Sequence, residues 1–449
     1  MFVERKIVGR CVDYAHDGRG VVKHEGIPIF VENLLMGEEA EILITERKKG
    51  FSLGRRLKLL TVSSERIKPT CEIYKFCGGC QLQHMTYAEQ LRFKQTRVEE
   101  VLKRIAEIDV EVEPIIGMQN PWRYRHKVQV PFGTNPEGKL IAGFYQKGTH
   151  QIIDMEKSYI EDEEADRVLV TLKKLCKQLN IEPADVIQRK GVIRYVLIRK
   201  SRARQELMVV LITRTGYLPK KQLLLEALLT AHPNIRTIVL NVNSAVTNVV
   251  LGEEEHILFG PGFIEDELNG LRFRISAKSF FQVNPEQTEI LYQTAMDYAN
   301  LSNQTVAFDA YCGVGTIGLI AAKQAKSVIG VEVVPAAVKD ARINAELNQI
   351  RNIQFFCDDA AQFMVKMASR KEKVDVVFVD PPRNGCGASL IQSLITMKPS
   401  RIVYISCEPS SLARDLKLLK EVYKVEKVQP VDMFPQTYHV ETVVLMSRV

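Results

Sequence analysis

No stretch of this 449-residue chain is apolar over anything near the length of a bilayer crossing, and Met1 to Gly9 mixes charged with apolar residues where a secretory signal has an unbroken apolar segment. A cytoplasmic protein without a membrane partner is expected. Tryptophan occurs once and long polar or repetitive tracts are missing, so the 46% hydrophobic and 26% charged composition is that of a globular protein and excludes a disordered chain. With no export signal, the nine cysteines read as reduced thiols, catalytic thiols or cluster ligands, not as a disulfide framework.

Charge of one sign is also scarce: 61 Lys and Arg against 54 Asp and Glu leave a net +7. The basic residues nevertheless come in groups, Arg47-Lys48-Lys49, Arg55-Arg56, Arg123 to Lys127 and Arg199 to Arg204. Any one group is explained as a solvated face; their recurrence suits a polyanion such as RNA.

The length exceeds what one core supports, and two or three domains are expected. Residues 3–60 read as five short strands broken by turn residues, which predicts a small barrel over 1–62 with Phe51 and the basic groups on its face. Cys71, Cys77 and Cys80 follow, then a helix over 87–106 with apolar residues at Leu91, Val98, Val101, Leu102 and Ile105. An α+β segment, with helices near 163–179 and 220–231 and a strand near 248–254, completes a central unit over 63–264; the helix over 87–106 is free to pack on the last unit instead. Over 265–449, strand and helix alternate and two closing strands lie a few residues apart. That order predicts a doubly wound parallel sheet with one antiparallel strand. A single closed copy suffices, so a monomer is expected.

The first strand of this sheet runs through Asp309-Ala310-Tyr311-Cys312 into Gly313-Val314-Gly315-Thr316-Ile317-Gly318, a glycine turn opening a helix. Glu332 ends the second strand, where a carboxylate accepts ribose hydroxyls, and Asp358 and Asp359 end the third, near an adenine edge. These features call for a nucleoside cofactor and leave NAD open. Asp380-Pro381-Pro382 ends the fourth strand, stiffened by prolines, and as a bare loop start it carries no function.

Cys407 ends the fifth strand. Uridine C5 is a weak nucleophile, and a thiolate added at C6 activates it. The last strand is antiparallel, so Glu441 near its start returns to the edge that bears Cys407, placed to remove the C5 proton. A buried packing cysteine and a strand-edge charge are the plain alternatives.

Together these motifs resemble the RNA uridine-C5 methyltransferase family, over nearly the whole chain: Ser279-Phe280-Phe281-Gln282-Val283-Asn284-Pro285, Asp309 to Thr316, Asp380-Pro381-Pro382-Arg383, Ser406-Cys407 with Pro409, and His439-Val440-Glu441. The resemblance implies the seven-stranded Rossmann-like fold of S-adenosylmethionine methyltransferases behind a TRAM-like barrel. It implies that Gln282, Tyr311, Glu332 and Asp380 hold S-adenosylmethionine, beside Gly313 of the glycine turn and Asp358 of the third strand end, that Phe280 lies by the target base, and that Cys407 is nucleophile and Glu441 general base. An amino-group methyltransferase usually has an aromatic residue after Asp-Pro-Pro, where Arg383 stands. A non-catalytic RNA-binding iron-sulfur protein is the reading from another class.

Residues 77–84 and 428–435 look most like the bacterial enzymes of 23S ribosomal RNA, RlmCD-type members with two target uridines in particular; another RNA such as tRNA is the alternative. In relatives the loop of Cys71, Cys77 and Cys80 carries a four-iron cluster with a fourth cysteine downstream. Here that position is Ser158, a poor iron ligand. A four-iron cluster on Cys71, Cys77 and Cys80 is expected, either labile or completed by another group such as Cys176 or a nearby histidine; a missing cluster and reduced structural thiols are the alternatives.

Overall fold

The computed structural model describes residues 5–449; Val3, where the barrel pattern begins, lies outside them. β1 (Arg5–Tyr14), β2 (Gly20–His24), β3 (Ile27–Val31), β4 (Glu39–Lys48) and β5 (Phe51–Leu59) close into a five-stranded barrel in the order β1-β2-β3-β5-β4. Strand alternation turns Ile7, Val22, Ile29, Val31, Ile42 and Ile44 inward.

α1 (Tyr87–Val101) starts at Thr86, whose hydroxyl accepts from the Glu89 amide, and passes into a π-helical turn (Leu102–Ala106) that stops at Glu107 in a left-handed conformation. The buried face differs from the expected apolar stripe. Val98 and Leu102 are buried, but so are Gln90, Lys94 and Arg97, whereas Ile105 is 38% exposed. Val98, Leu102 and Ala106 share one apolar cluster with Tyr404, Leu412 and Val428 of the C-terminal half. Past the turn, the Glu113 and Ile116 amides donate to the Val428 and Pro430 carbonyls, so this segment lines the edge of the C-terminal sheet.

The central sheet contains β6 (Lys127–Thr134), β7 (Leu140–Tyr145), β8 (Ile152–Asp154), β9 (Ile193–Lys200), β10 (Leu207–Thr213), β11 (Ile235–Val242) and β12 (Glu254–Phe259), in the order β12-β11-β10-β9-β6-β7-β8. One face packs on α2 (Glu163–Leu179) and α3 (Lys221–Ala231). From the other, Met208, Val210 and Ile212 join the core of the C-terminal half, which explains the unbroken apolar sequence of β10. The strand expected near 248–254 forms only from Glu254 onward. A hairpin of β13 (Phe263–Leu268) and β14 (Leu271–Ser276) links the halves, and the expected boundary at 265 cuts through β13.

The last sheet is built by β15 (Val306–Ala310), β16 (Ser327–Glu332), β17 (Ile353–Cys357), β18 (Val376–Val379), β19 (Arg401–Ser406), β20 (Tyr423–Val431) and β21 (Glu441–Arg448). Its order is β17-β16-β15-β18-β19-β21-β20, and only β21 runs against its neighbours. α4 (Pro285–Ala299), α5 (Thr316–Ala322), α6 (Pro335–Leu347), α7 (Ala360–Ser369), α8 (Ala388–Met397) and α9 (Pro409–Leu419) cover its faces. Strand order reverses between β15 and β18, which opens a crevice beyond their carboxyl ends.

Candidate active site

The turn after β15 is left-handed at Tyr311, Gly313 and Gly315, with φ of 65°, 55° and 86°. A Cβ at Gly315 would stand 2.8 Å from the Phe355 ring, and one at Gly330 on β16 would stand 2.6 Å from it; both glycines are required by that ring. At Gly313 a Cβ would meet nothing, so the turn faces open space where a ligand can approach the backbone. Glu332 accepts from the Gly313 amide at 3.1 Å through Oε2 and from the Val334 amide at 3.0 Å through Oε1. Asp309 accepts from the Gly318 amide at 2.7 Å, and burial pushes its carboxyl up to about 8. This open cradle with an acid at the second strand end fits a nucleoside cofactor. Asp358 is placed less directly: its carboxylate pairs with Lys366 at 2.6 Å on the surface, while Asp359 caps α7.

Two neighbouring strands bring Cys407 and Glu441 to one end of the sheet. Ser406 of β19 and Thr442 of β21 are the last pair of their ladder, so the following Cys407 and the preceding Glu441 lie at the same end of the two strands, near enough for the Glu441 carboxylate to act on the Cys407 thiol. Asp380 ends β18 alongside. Burial pushes the Cys407 thiol up to about 12, and the carboxylates of Glu441 and Asp380 add to the shift while Arg383 opposes it. Glu441 is raised to about 8 by burial and then by Asp380, and Asp380 to about 7 by burial. Buried Tyr292 on α4 interacts with the side chains of Gln282 and Thr316 and feels Asp380 and Glu441, so Gln282 belongs to the same crevice. Phe280 is 65% exposed at the mouth of a 430 Å³ cavity lined also by Gln282, Arg383 and His439. Burial lowers His439 to about 4; its Nε2, with the ring taken as neutral, accepts from Arg383 at 3.2 Å.

Sequence reasoning missed the charged side of α1. Arg97 donates to Glu408 Oε1 at 2.6 Å and to the Tyr438 carbonyl at 2.9 Å, joining the residue after Cys407 to the loop that leads into Glu441. Lys94, fully buried, donates to Asp432 at 2.5 Å and to the Phe434 carbonyl at 3.0 Å, and Asp432 also accepts from the Tyr87 hydroxyl. Asn284 caps α4 and donates to the Met433 carbonyl, tying the Phe280 segment to that loop. Lysine and arginine three apart among helix residues that point inward was the available signal.

Two of the basic groups serve the fold. Arg123 pairs with Asp166 and Arg125 with Glu161, while Lys200, Arg202 and Arg204 pair with Asp162, Glu289 and Glu265. Arg199 is buried and donates to the Ser279 carbonyl. Lys48, Lys49 and Arg55 of the barrel are exposed, and Phe51 packs against Phe30.

Cys71, Cys77 and Cys80 line the 430 Å³ cavity with Ser158, but among the described residues no three His, Cys, Asp or Glu side chains converge where a metal ion could sit. Cys176 is no substitute, because it is buried in the core under α2. The arrangement does not fit the expected four-iron cluster: the ligand set is short by one and the remaining thiols do not converge.

Fold and crevice define an S-adenosylmethionine-dependent methyltransferase with the seven-stranded sheet of that class and a barrel in front. The family model for tRNA (uracil-5-)-methyltransferases matches residues 86–449, from the cap of α1 to the last residue, and the chain belongs to that family. It is similar to an RNA methyltransferase of Bacillus cereus, 48% identical with 97% of this chain and 95% of the relative covered. A Staphylococcus aureus RNA methyltransferase is 43% identical, with coverage of 98% and 97%. Among solved structures, the tRNA (uracil-54, C5)-methyltransferase of Pyrococcus abyssi, bound to S-adenosyl-L-homocysteine, superposes with a TM-score of 0.78 at 28% identity, covering 98% of this chain and all of that one. No helix among the described residues is long and apolar enough to cross a membrane.

Proposed function

We propose that the protein methylates C5 of uridine in 23S ribosomal RNA, at one or two sites, with Cys407 as nucleophile and Glu441 as general base. The observation that supports this reading is that the β19–β21 ladder ends at Ser406 and Thr442, one residue short of Cys407 and Glu441, with the Glu441 and Asp380 carboxylates acting on the Cys407 thiol. The Cys407 thiolate adds to C6 of the uracil, and the electron pair moves to C5. When bound by Gln282, Tyr311, Gly313, Glu332, Asp358 and Asp380, S-adenosylmethionine supplies the methyl group that C5 takes. Glu441 removes the C5 proton, the C5–C6 double bond re-forms and the thiolate leaves. Arg383 is the positive charge that favours the thiolate, and Phe280 flanks the base.

The choice of 23S RNA rests on the likeness of residues 77–84 and 428–435 to enzymes of that RNA. A tRNA uridine is the second reading, favoured by the likeness to the Pyrococcus abyssi enzyme. The barrel binds RNA through Lys48, Lys49 and Arg55, as barrels of this kind do.

The test incubates the protein and labelled cofactor with unmodified 23S RNA or with tRNA. Cys407→Ala is expected to abolish turnover and covalent adduct, and Glu441→Gln to accumulate adduct. Normal turnover by Cys407→Ala overturns the mechanism; label in tRNA alone overturns the substrate.

A further inference from the structure

Beside the crevice, the 430 Å³ cavity runs from Phe280, Gln282 and Arg383 at its mouth to Cys77, Cys80 and Glu161 at its far wall. Its size is that of a small-ligand pocket. The Glu161 side chain is 4% exposed, with Oε1 3.2 Å from Arg125 Nε. Its Oε2 has no hydrogen-bond partner among the described residues, and Arg125 Nε is not aligned to donate to the carboxylate. A buried acceptor and a buried donor left without partners are costly, and side by side they match a visiting group that offers a donor next to an acceptor. Tyr159 and Phe434 give the cavity aromatic walls.

We infer that this cavity takes a second, unstacked base of the RNA, adjacent in the chain to the target uridine, and that Glu161 and Arg125 read its edge. The inference rests on the proposed RNA substrate and identifies a recognition site that the methyl transfer does not use. The matching edge is an imino N–H beside a carbonyl, which guanine and uracil carry and adenine and cytosine lack. Glu161 accepts the N–H and Arg125 donates to the carbonyl. Single-stranded RNA is commonly read in this way, with bases splayed onto aromatic rings and bonded on their pairing edges. Phe280, which flanks the target base in the proposed function, lines the same cavity.

The sole tryptophan reports on this site, because Trp122 packs in one cluster with Cys80, Ile160 and Phe434 and lies 6.3 Å from the Tyr159 ring. Titration with GMP is expected to change Trp122 fluorescence in the wild type at concentrations at least about tenfold below those needed for AMP, the size of one good base-edge contact. Glu161→Gln is expected to bring the two within threefold. Short RNAs with one target uridine and each flanking base varied then give KM values at least about tenfold lower for G or U at one flank, with kcat unchanged; UMP is omitted because the target site also takes it. Equal binding of GMP and AMP by the wild type overturns the inference, as does iron and sulfide in stoichiometric amount in anaerobically prepared protein, which would fill the cavity. Base-independent KM with active methylation overturns it while leaving the proposed function intact. Selective GMP binding without methylation of any RNA overturns the proposed function instead, and with it the assignment of the base to a methylation substrate.

Discussion

Arg97→Met removes the link between the two loops that carry the reacting groups. The guanidinium makes one hydrogen bond to a carboxylate and one to a carbonyl, and hydrogen bonds of charged groups are worth about 1.5–3 kcal/mol each. The Glu408 side chain is 27% exposed and regains water when its partner goes, so its share lies at the low end. Together they give about 3 kcal/mol, or a fall in melting temperature of about 6–12 °C for a unit of 150–250 residues such as the C-terminal one. The catalytic effect should exceed the stability effect. Freed from Arg97, Cys407 and Glu441 move relative to each other, and a displacement of about 1 Å costs roughly a hundredfold in rate. The assay pairs thermal unfolding, followed by Trp122 fluorescence, with steady-state methylation. Arg97→Met should lower kcat by about 10- to 100-fold and leave KM for RNA within threefold, and Arg97→Lys should recover part of the rate through one retained contact. A folded Arg97→Met protein with kcat within twofold of wild type would refute the reasoning.

Three further outcomes are expected. The Glu441 carboxyl has an ordinary value of 4.5 and is raised to about 8 in the fold, so the unfolded chain binds fewer protons between those values and wild-type stability is lost as pH rises across that window. The melting temperature of Glu441→Gln should therefore gain on wild type from pH 4.5 to 8 and then level off; a constant difference counts against the buried acid. Lys94→Met strands Asp432 without its counterion in a fully buried position and should cost about 3–5 kcal/mol, with over half regained in Lys94→Met/Asp432→Asn; additive losses in thermal unfolding would contradict this. Gly330→Ala drives a methyl group into the Phe355 ring that also supports Gly315, and should cost about 1–3 kcal/mol and weaken S-adenosylmethionine binding by calorimetry; unchanged binding and melting would show that the ring yields freely.

The parallel sheet was legible because alternating strand and helix dictate it, and α2 was legible to the residue because its apolar period is strong. The pairing of Cys407 with Glu441 followed from topology alone: an antiparallel last strand must begin where its parallel neighbours end. The place of α1 did not follow. Its periodic pattern states which residues face inward but not toward what, and its partners Glu408, Asp432 and Tyr438 lie hundreds of residues away. For the same reason Arg123 to Lys127 and Arg199 to Arg204 looked like an RNA surface, since the carboxylates that neutralise them come from other segments. The cysteine loop misled in the opposite sense: ligand spacing is local, whereas convergence on a metal is a property of the packed structure.

The hairpin of β20 and β21 divides its labour between stem and loop. A strand ladder admits only whole-residue shifts, and a slip of one residue would turn Glu441 to the far face of the sheet, so the register of the last strand is all or none. The intervening loop, with Phe434, Tyr438 and His439 on the cavity, is under no such ruler. Recognition of a new RNA can thus evolve by rewriting the loop while the chemistry stays in place.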